Sequence, residues 1–335
     1  MAALGRFLLA SLDAALRLLE ALGARGSRWE WKKRTWRQRL QDRIASWENL
    51  ERGVQTRLRM CRSCRTLVPS SERTCPACGV SMSGVPTGGV SRLVTLLLPG
   101  TGIVTILLVT ANVVMSLVVL VVWGSAGEAG GLTSLLSPPW QALFLLGEKW
   151  TPLIAEGQVW RLVTANYLHG GLFHLFVNCY SLMNLGPLVE ESFGARKTFV
   201  IYTITGICAF ITSAVVRPQT PSIGASGALF GLLGFAVVYG RLRGGSTGRA
   251  ISAHLMRWVI LGLLMVFLPG IDSAAHVGGL LSGGALGLLI EAGEPKSRAA
   301  EIGLRLLTAG ALLVTLGSFV AMALSYADNL ALIAK

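Results

Sequence analysis

Residues 221–234 read PSIGASGALFGLLG, and the fold turns on how this stretch is understood. Glycine and alanine alternate with leucine and phenylalanine, a pattern that lets two helix backbones approach closely inside a bilayer. Ser226 sits between two small residues and has two readings. A serine in a membrane helix commonly packs or bonds back to its own backbone. It can also be a nucleophile if a base lies within hydrogen-bond reach. The rest of the chain has to decide between them.

Composition gives the class. Of 335 residues, 52% are hydrophobic and 14% charged, with 40 glycines and a mean hydropathy of +0.59. Soluble domains carry about 25% charged residues. The apolar excess falls in runs of about 20, the length of a helix that spans a bilayer. An all-α polytopic membrane protein is expected. Seven spans are predicted, near 102–123, 172–189, 198–216, 226–240, 252–268, 274–291 and 303–325. Arg196, Lys197, Arg241, Arg243, Arg249, Lys296, Arg298 and Arg305 then fall in loops on the side of the basic N-terminus. Lys149, Arg161, Arg217 and Lys335 face the other side. The positive-inside rule therefore predicts a cytoplasmic N-terminus and an outward C-terminus, in the plasma (cell inner) membrane. The long first outside loop, about 124–171, contains SPPWQALFLL, too short to span and suited to the interface.

The N-terminal part is of another kind. Arg6, Asp13, Arg17 and Glu20 interrupt the apolar residues of 1–22, which excludes a signal-peptide core and gives an amphipathic helix. Residues 21–60 hold eleven Lys/Arg against four acids, interleaved with Trp29, Trp31, Trp36 and Trp47. Such a segment suits an anionic lipid surface. Nucleic acid could use the same charges, but the adjoining membrane domain favours lipid. Cys61 and Cys64 (CRSC) with Cys75 and Cys78 (CPAC) form two CxxC pairs that fit tetrahedral structural zinc. Two disulfides are the alternative, disfavoured in a reducing cytoplasm. The expected organisation is a basic helical segment over 1–60, a zinc ribbon over 61–80 and a linker over 81–101. A catalytic core over 102–295 and a further helix with its tail over 296–335 follow. The ribbon's surface would be available to a cytoplasmic partner. Cys179 and Cys208 lie within spans as core filler.

Ionisable groups inside a membrane are costly, so they are functional candidates. His169, His174 and His276 fall near the outer ends of predicted spans, at the level of Ser226. His254 lies near a cytoplasmic end beside Arg257. Gly279, Gly283 and Gly287 recur every four residues on the face of His276, and Gly227 and Gly231 answer them after Ser226. Two helices packed through these glycines could bring imidazole and hydroxyl together. Asp272, four residues before His276, is expected in the loop, which makes a dyad rather than a triad. His174 and Asn178 are i and i+4 on one face, able to donate to an oxyanion or simply to bond between helices.

These motifs resemble the rhomboid intramembrane serine proteases. The resemblance is carried by WR (Trp160, Arg161), HGGLFHLFVN (169–178), GASG (224–227) and AHVGGLLSG (275–283), in the family's order over about residues 100–295. It implies a six-helix core, here followed by one more helix. It also implies Ser226 as nucleophile and His276 as base, with His174 and Asn178 at the oxyanion. Arg161 and Glu190 would support the first loop and the inner end of the second span. His169, Gly224, Gly227, Gly279 and Gly283 belong to the same motifs. Phe230 takes the slot of an aromatic that stacks on the catalytic histidine, often a tyrosine. The GxSxG elbow of soluble hydrolases does not apply, since residue 228 is alanine. No cofactor is implied for catalysis, and the implied substrates are transmembrane proteins. An inactive membrane-helix-binding relative is the alternative.

Overall fold

The computed structural model describes residues 102–124, 137–264, 270–293, 295 and 297–334. It also describes parts of 13–41, the strands at 58–60 and 67–69, and Cys75, Pro76, Cys78 and Gly79. The chain divides into two compact units, Met1–Val85 and Pro86–Lys335.

In the first unit, β1 (Leu58–Met60) and β2 (Leu67–Pro69) pair antiparallel, with Met60 opposite Leu67. This hairpin begins before the boundary expected at residue 61, because the strands flank the first CxxC rather than follow it. Helical residues upstream pair with one another. Lys33 Nζ lies 2.6 Å from Glu20, Arg37 lies 3.0 Å from Asp13, and the Trp29 indole donates to Glu20. Two of the basic residues expected to face lipid are therefore engaged with acids of the amphipathic segment, which a charge count along the chain cannot show.

The second unit is helical. Its long helices are α1 (Ile103–Gly124), α5 (Leu172–Phe193), α6 (Ala195–Val216), α7 (Ser226–Arg243), α8 (Gly245–Leu264), α9 (Ser273–Leu289) and α10 (Arg298–Leu324). Short helices α2 (Trp140–Leu145), α3 (Thr151–Ala155) and α4 (Arg161–Thr164) fill the first long loop, and α11 (Tyr326–Ile333) ends the chain. Each predicted span has its helix. Among the described residues, four (α1, α5, α6 and α10) are long and apolar enough to cross a membrane by length and composition, and α9 is a shorter apolar helix. This is a multi-pass membrane protein.

In lipid, helix association rests on close packing and buried hydrogen bonds rather than on removing apolar surface from water. Both are present. A Cβ at Gly279 would meet the carbonyl of Gly227, and one at Gly283 the carbonyl of Gly231, so α7 and α9 run backbone against backbone. A Cβ at Gly227 would lie 2.6 Å from the Ala209 methyl of α6, and Gly278 of α9 lies against Thr212. Helices α6, α7 and α9 thus form a tight three-helix centre. On its flank, Gly186 of α5 abuts Thr105 of α1. The Glu190 carboxylate accepts from the backbone N–H groups of Val104 and Thr105 at 3.0 and 2.9 Å, and from the Thr105 hydroxyl. A carboxylate at a helix N-terminus satisfies orphan donors and meets the positive dipole end. Glu190 thereby ties the end of α5 to the start of α1. Helix α10 exposes most of its length and buries only Thr315 and Ser318.

Candidate active site

Helix α7 begins at Ser226, after an extended entry held on both sides. Lys149 and Ser222 exchange backbone hydrogen bonds at 2.9 and 3.2 Å, and the Gly224 N–H donates to the Ala165 carbonyl at 2.8 Å. Gly224 has φ +117°, and a Cβ there would lie 2.8 Å from His174 Cε1 and Nε2. The first glycine of GASG is required twice, by backbone conformation and by space. No side chain caps the start of α7, so its first N–H groups are open toward whatever approaches Ser226.

His276 comes from the first turn of α9. Its Nε2 lies 2.8 Å from Ser226 Oγ, and its ring stacks on Phe230 with centroids 4.3 Å apart and planes 14° off parallel. The glycine contacts between α7 and α9 set this separation. His276 Nδ1 is buried and has no hydrogen-bond partner among the described residues. Asp272 makes no hydrogen bond to the ring. It caps α9 instead, its Oδ1 accepting from Ala275 N–H and its Oδ2 bonded to the Ser213 hydroxyl. Burial pushes the Asp272 carboxyl up, but bonds from Ser213, Ser222 and Ala275 and the Lys149 charge outweigh it and hold the group below the usual carboxylate range.

His174 lies on the third side. Its Nδ1 accepts from Gly170 N–H at 3.2 Å. In a neutral imidazole that leaves the proton on Nε2, which faces Gly224 beside Ser226. The ring is therefore set as a donor toward the serine. Asn178 is buried, and its Nδ2 donates to the His174 carbonyl at 2.9 Å. One of its amide hydrogens is thus spent within α5, neither on an oxyanion nor between helices, and the other is left over. His169, in the loop before α5, packs edge-on against His174 at 5.2 Å. Burial and the nearby His174 push its imidazole down to about 3, so it is neutral.

In the first loop, Lys149 is expected from sequence only as an outside charge, and Arg161 by resemblance as a support of the loop. Arg161 and Lys149 are fully buried. Arg161 Nη1 donates to the carbonyls of Phe144 and Glu148, each at 3.0 Å, and its guanidinium lies over the rings of Phe144 and Trp160. Lys149 Nζ donates to the carbonyls of Arg217 and Thr220, both at 2.8 Å. Glu148 is buried beside Arg161. Burial pushes its carboxyl up to about 7, against the pull of that charge. The loop is a polar clamp on the segment that enters Ser226. Its sequence signals were the WR pair and the stretch SPPWQALFLL, neither of which reveals these partners.

In the first unit, Cys75 is buried and Cys78 exposed. The turn between them closes with Gly79 N–H donating to the Cys75 carbonyl at 2.8 Å, with Gly79 at φ +70°. Cys61 and Cys64 lie outside the described residues. Among the described residues, no group of three or more His, Cys, Asp or Glu is arranged to hold a metal.

Taken together, the second unit is a helical multi-pass membrane protein with a serine and a histidine in hydrogen contact where two glycine-packed helices begin. Residues 156–292 match the rhomboid domain, which covers α4 to α9. Over 161 residues the chain is 37% identical to RHOMBOID-like protein 5 of Arabidopsis thaliana, covering 47% of this chain and 52% of that protein. Rhomboid protease GluP of Bacillus subtilis is 39% identical over 175 residues, 50% of this chain and 32% of its own. Inactive RHOMBOID-like protein 8 of Arabidopsis is 35% identical over 138 residues, 41% and 39% of the two chains. The chain spans about half the length of the Arabidopsis protein 5. The likeness to rhomboid proteins thus lies in the helical unit, over α4 to α9.

Proposed function

We propose that the chain is an intramembrane serine protease that cuts peptide bonds in or near transmembrane segments of other proteins. The observation that carries this reading is the 2.8 Å contact between His276 Nε2 and Ser226 Oγ, with Phe230 stacked on the imidazole. In the proposed reaction, His276 Nε2 takes the Ser226 proton as Oγ attacks the scissile carbonyl carbon. The resulting oxyanion accepts from His174 Nε2–H, from the second amide hydrogen of Asn178 and from the first N–H groups of α7. His276 then gives its proton to the leaving amine. Water, deprotonated by the same imidazole, releases the acyl group and restores Ser226.

A peptide bond is reached only after the substrate leaves helical conformation, because a helix buries its carbonyls in its own hydrogen bonds. Helix-poor segments with small residues should be preferred. The site is proposed to open near the outer face of the plasma membrane, with the N-terminus in the cytoplasm. The inactive relative supports a second reading, a binder of membrane helices that does not cut. Ser226→Ala and His276→Ala, assayed in proteoliposomes on a model transmembrane substrate, separate the two. Loss of cleavage in both, with insertion intact, supports the protease, whereas cleavage retained in either removes the dyad.

We further propose a structural zinc held by Cys61, Cys64, Cys75 and Cys78. The hairpin flanking the first pair and the glycine-closed turn of the second support it. The metal has no part in the proposed reaction. Its ribbon is proposed to meet a cytoplasmic partner, and the basic segment to lie on lipid.

A further inference from the structure

Beyond the matched domain, at the outer end of the chain, α11 reaches the first loop. Asn329 of α11 is fully buried, and its Oδ1 accepts from Gln158 Nε2 at 2.9 Å, across 171 positions of sequence. Gln158 Oε1 in turn accepts from Arg161 Nε at 2.7 Å. Arg161 holds the carbonyls of Phe144 and Glu148, and the next residue, Lys149, pairs by its backbone with Ser222. Four residues later the chain reaches Ser226. A second contact runs parallel to the first. The Phe319 ring of α10 packs edge-on against Tyr167 at 5.3 Å, next to the Ala165 carbonyl that accepts from Gly224.

We propose that α10 and α11 form a clamp on the first loop, and that Asn329 is a positioning residue for Ser226. It acts through Gln158 and Arg161. An amide pair suits this task, because Gln158 can donate to Asn329 while accepting from Arg161, and so fixes the guanidinium without adding a charge. Asn329 is fully buried and Gln158 half-buried, so removing Asn329 leaves the Gln158 amide without its protein partner and frees it to leave Arg161. The loop then loosens where it pairs with the entry to α7. Asn329 lies outside the catalytic contacts, so the loss falls on the geometry of Ser226 rather than on substrate binding.

The consequence for turnover rests on the protease reading, but the clamp can be tested without it. Hydrogen exchange on the full chain in proteoliposomes reads the amides of Gly147, Glu148, Lys149 and Gly224. Asn329→Ala should speed their exchange by up to about tenfold, the usual worth of one intramolecular hydrogen bond. Unchanged exchange in a folded Asn329→Ala protein overturns the clamp, whether or not the protein is a protease. For turnover, Asn329→Ala should lower kcat by about tenfold with KM nearly unchanged. It should cost nothing further in a Gln158→Ala background, since both act through one chain of bonds. A raised KM at constant kcat, or independent losses that multiply, would contradict the positioning role. Asn329→Ser, too short to reach Gln158, should behave as Asn329→Ala does and serves if the alanine variant does not fold. Wild-type protein that never cleaves defeats the protease reading and leaves the exchange result to decide the clamp.

Discussion

At the scale of single residues, the site depends on atoms that cannot be enlarged or recharged. Gly224→Ala would add a methyl in a left-handed conformation and drive it into His174. Strain of this kind costs about 1–3 kcal/mol, and the displaced imidazole would no longer face the serine. We expect kcat to fall at least tenfold with a modest drop in Tm, read by cleavage and thermal unfolding of the same preparation. Glu148 supplies a test by pH. Its folded carboxyl is raised to about 7 from an ordinary 4.5 by burial. The folded state therefore holds the proton more tightly than the unfolded state. The stabilisation is complete below about pH 4.5 and is lost as pH rises through about 7, a decline of at most about 3 kcal/mol. Glu148→Gln should flatten stability between these limits, as measured by unfolding across pH. A slope equal to that of wild type would exclude Glu148 as its source.

At the scale of helices, the α7–α9 contact is the element that makes the Ser226–His276 distance. Gly283→Val would press a branched side chain onto the Gly231 carbonyl, with no flexible neighbour to give way. Tm and activity should fall together, and unchanged values of both would detach the glycine stripe from the site. Gly310 of α10 has open space where its Cβ would go, so Gly310→Ala should leave both intact. Much of this level was legible in sequence. The spans declare themselves by apolar length, and Gly227, Gly231, Gly279 and Gly283 repeat at intervals that only helix packing explains. Lys149 and Asn329 did not declare themselves. Lys149 was read as a loop charge, yet its ammonium group is consumed by carbonyls 68 and 71 positions away. Asn329 finds its partner 171 positions away. A local pattern carries no record of such pairings. The strands β1 and β2 were also missed, since their three-residue length gives no alternation to read.

At the scale of the whole molecule, the chain is two compact units with separate chemistry. The unit containing the paired cysteines has few apolar residues between them, so its fold should depend on metal. The helical unit has its own packed centre and should not. Cys61→Ser with Cys64→Ser should release about one zinc per chain in metal analysis and leave cleavage of a detergent-soluble substrate intact. Absence of zinc from wild-type protein, or loss of proteolysis on chelation, would contradict this division. The helical unit carries the central claim, that Ser226 is a nucleophile made reactive by His276. Labelling with a fluorophosphonate, located by peptide mass spectrometry, tests it most directly. The account predicts a covalent adduct on Ser226 in wild type and none in a folded, membrane-inserted His276→Ala variant. An unlabelled wild-type Ser226, or equal labelling without His276, would contradict it.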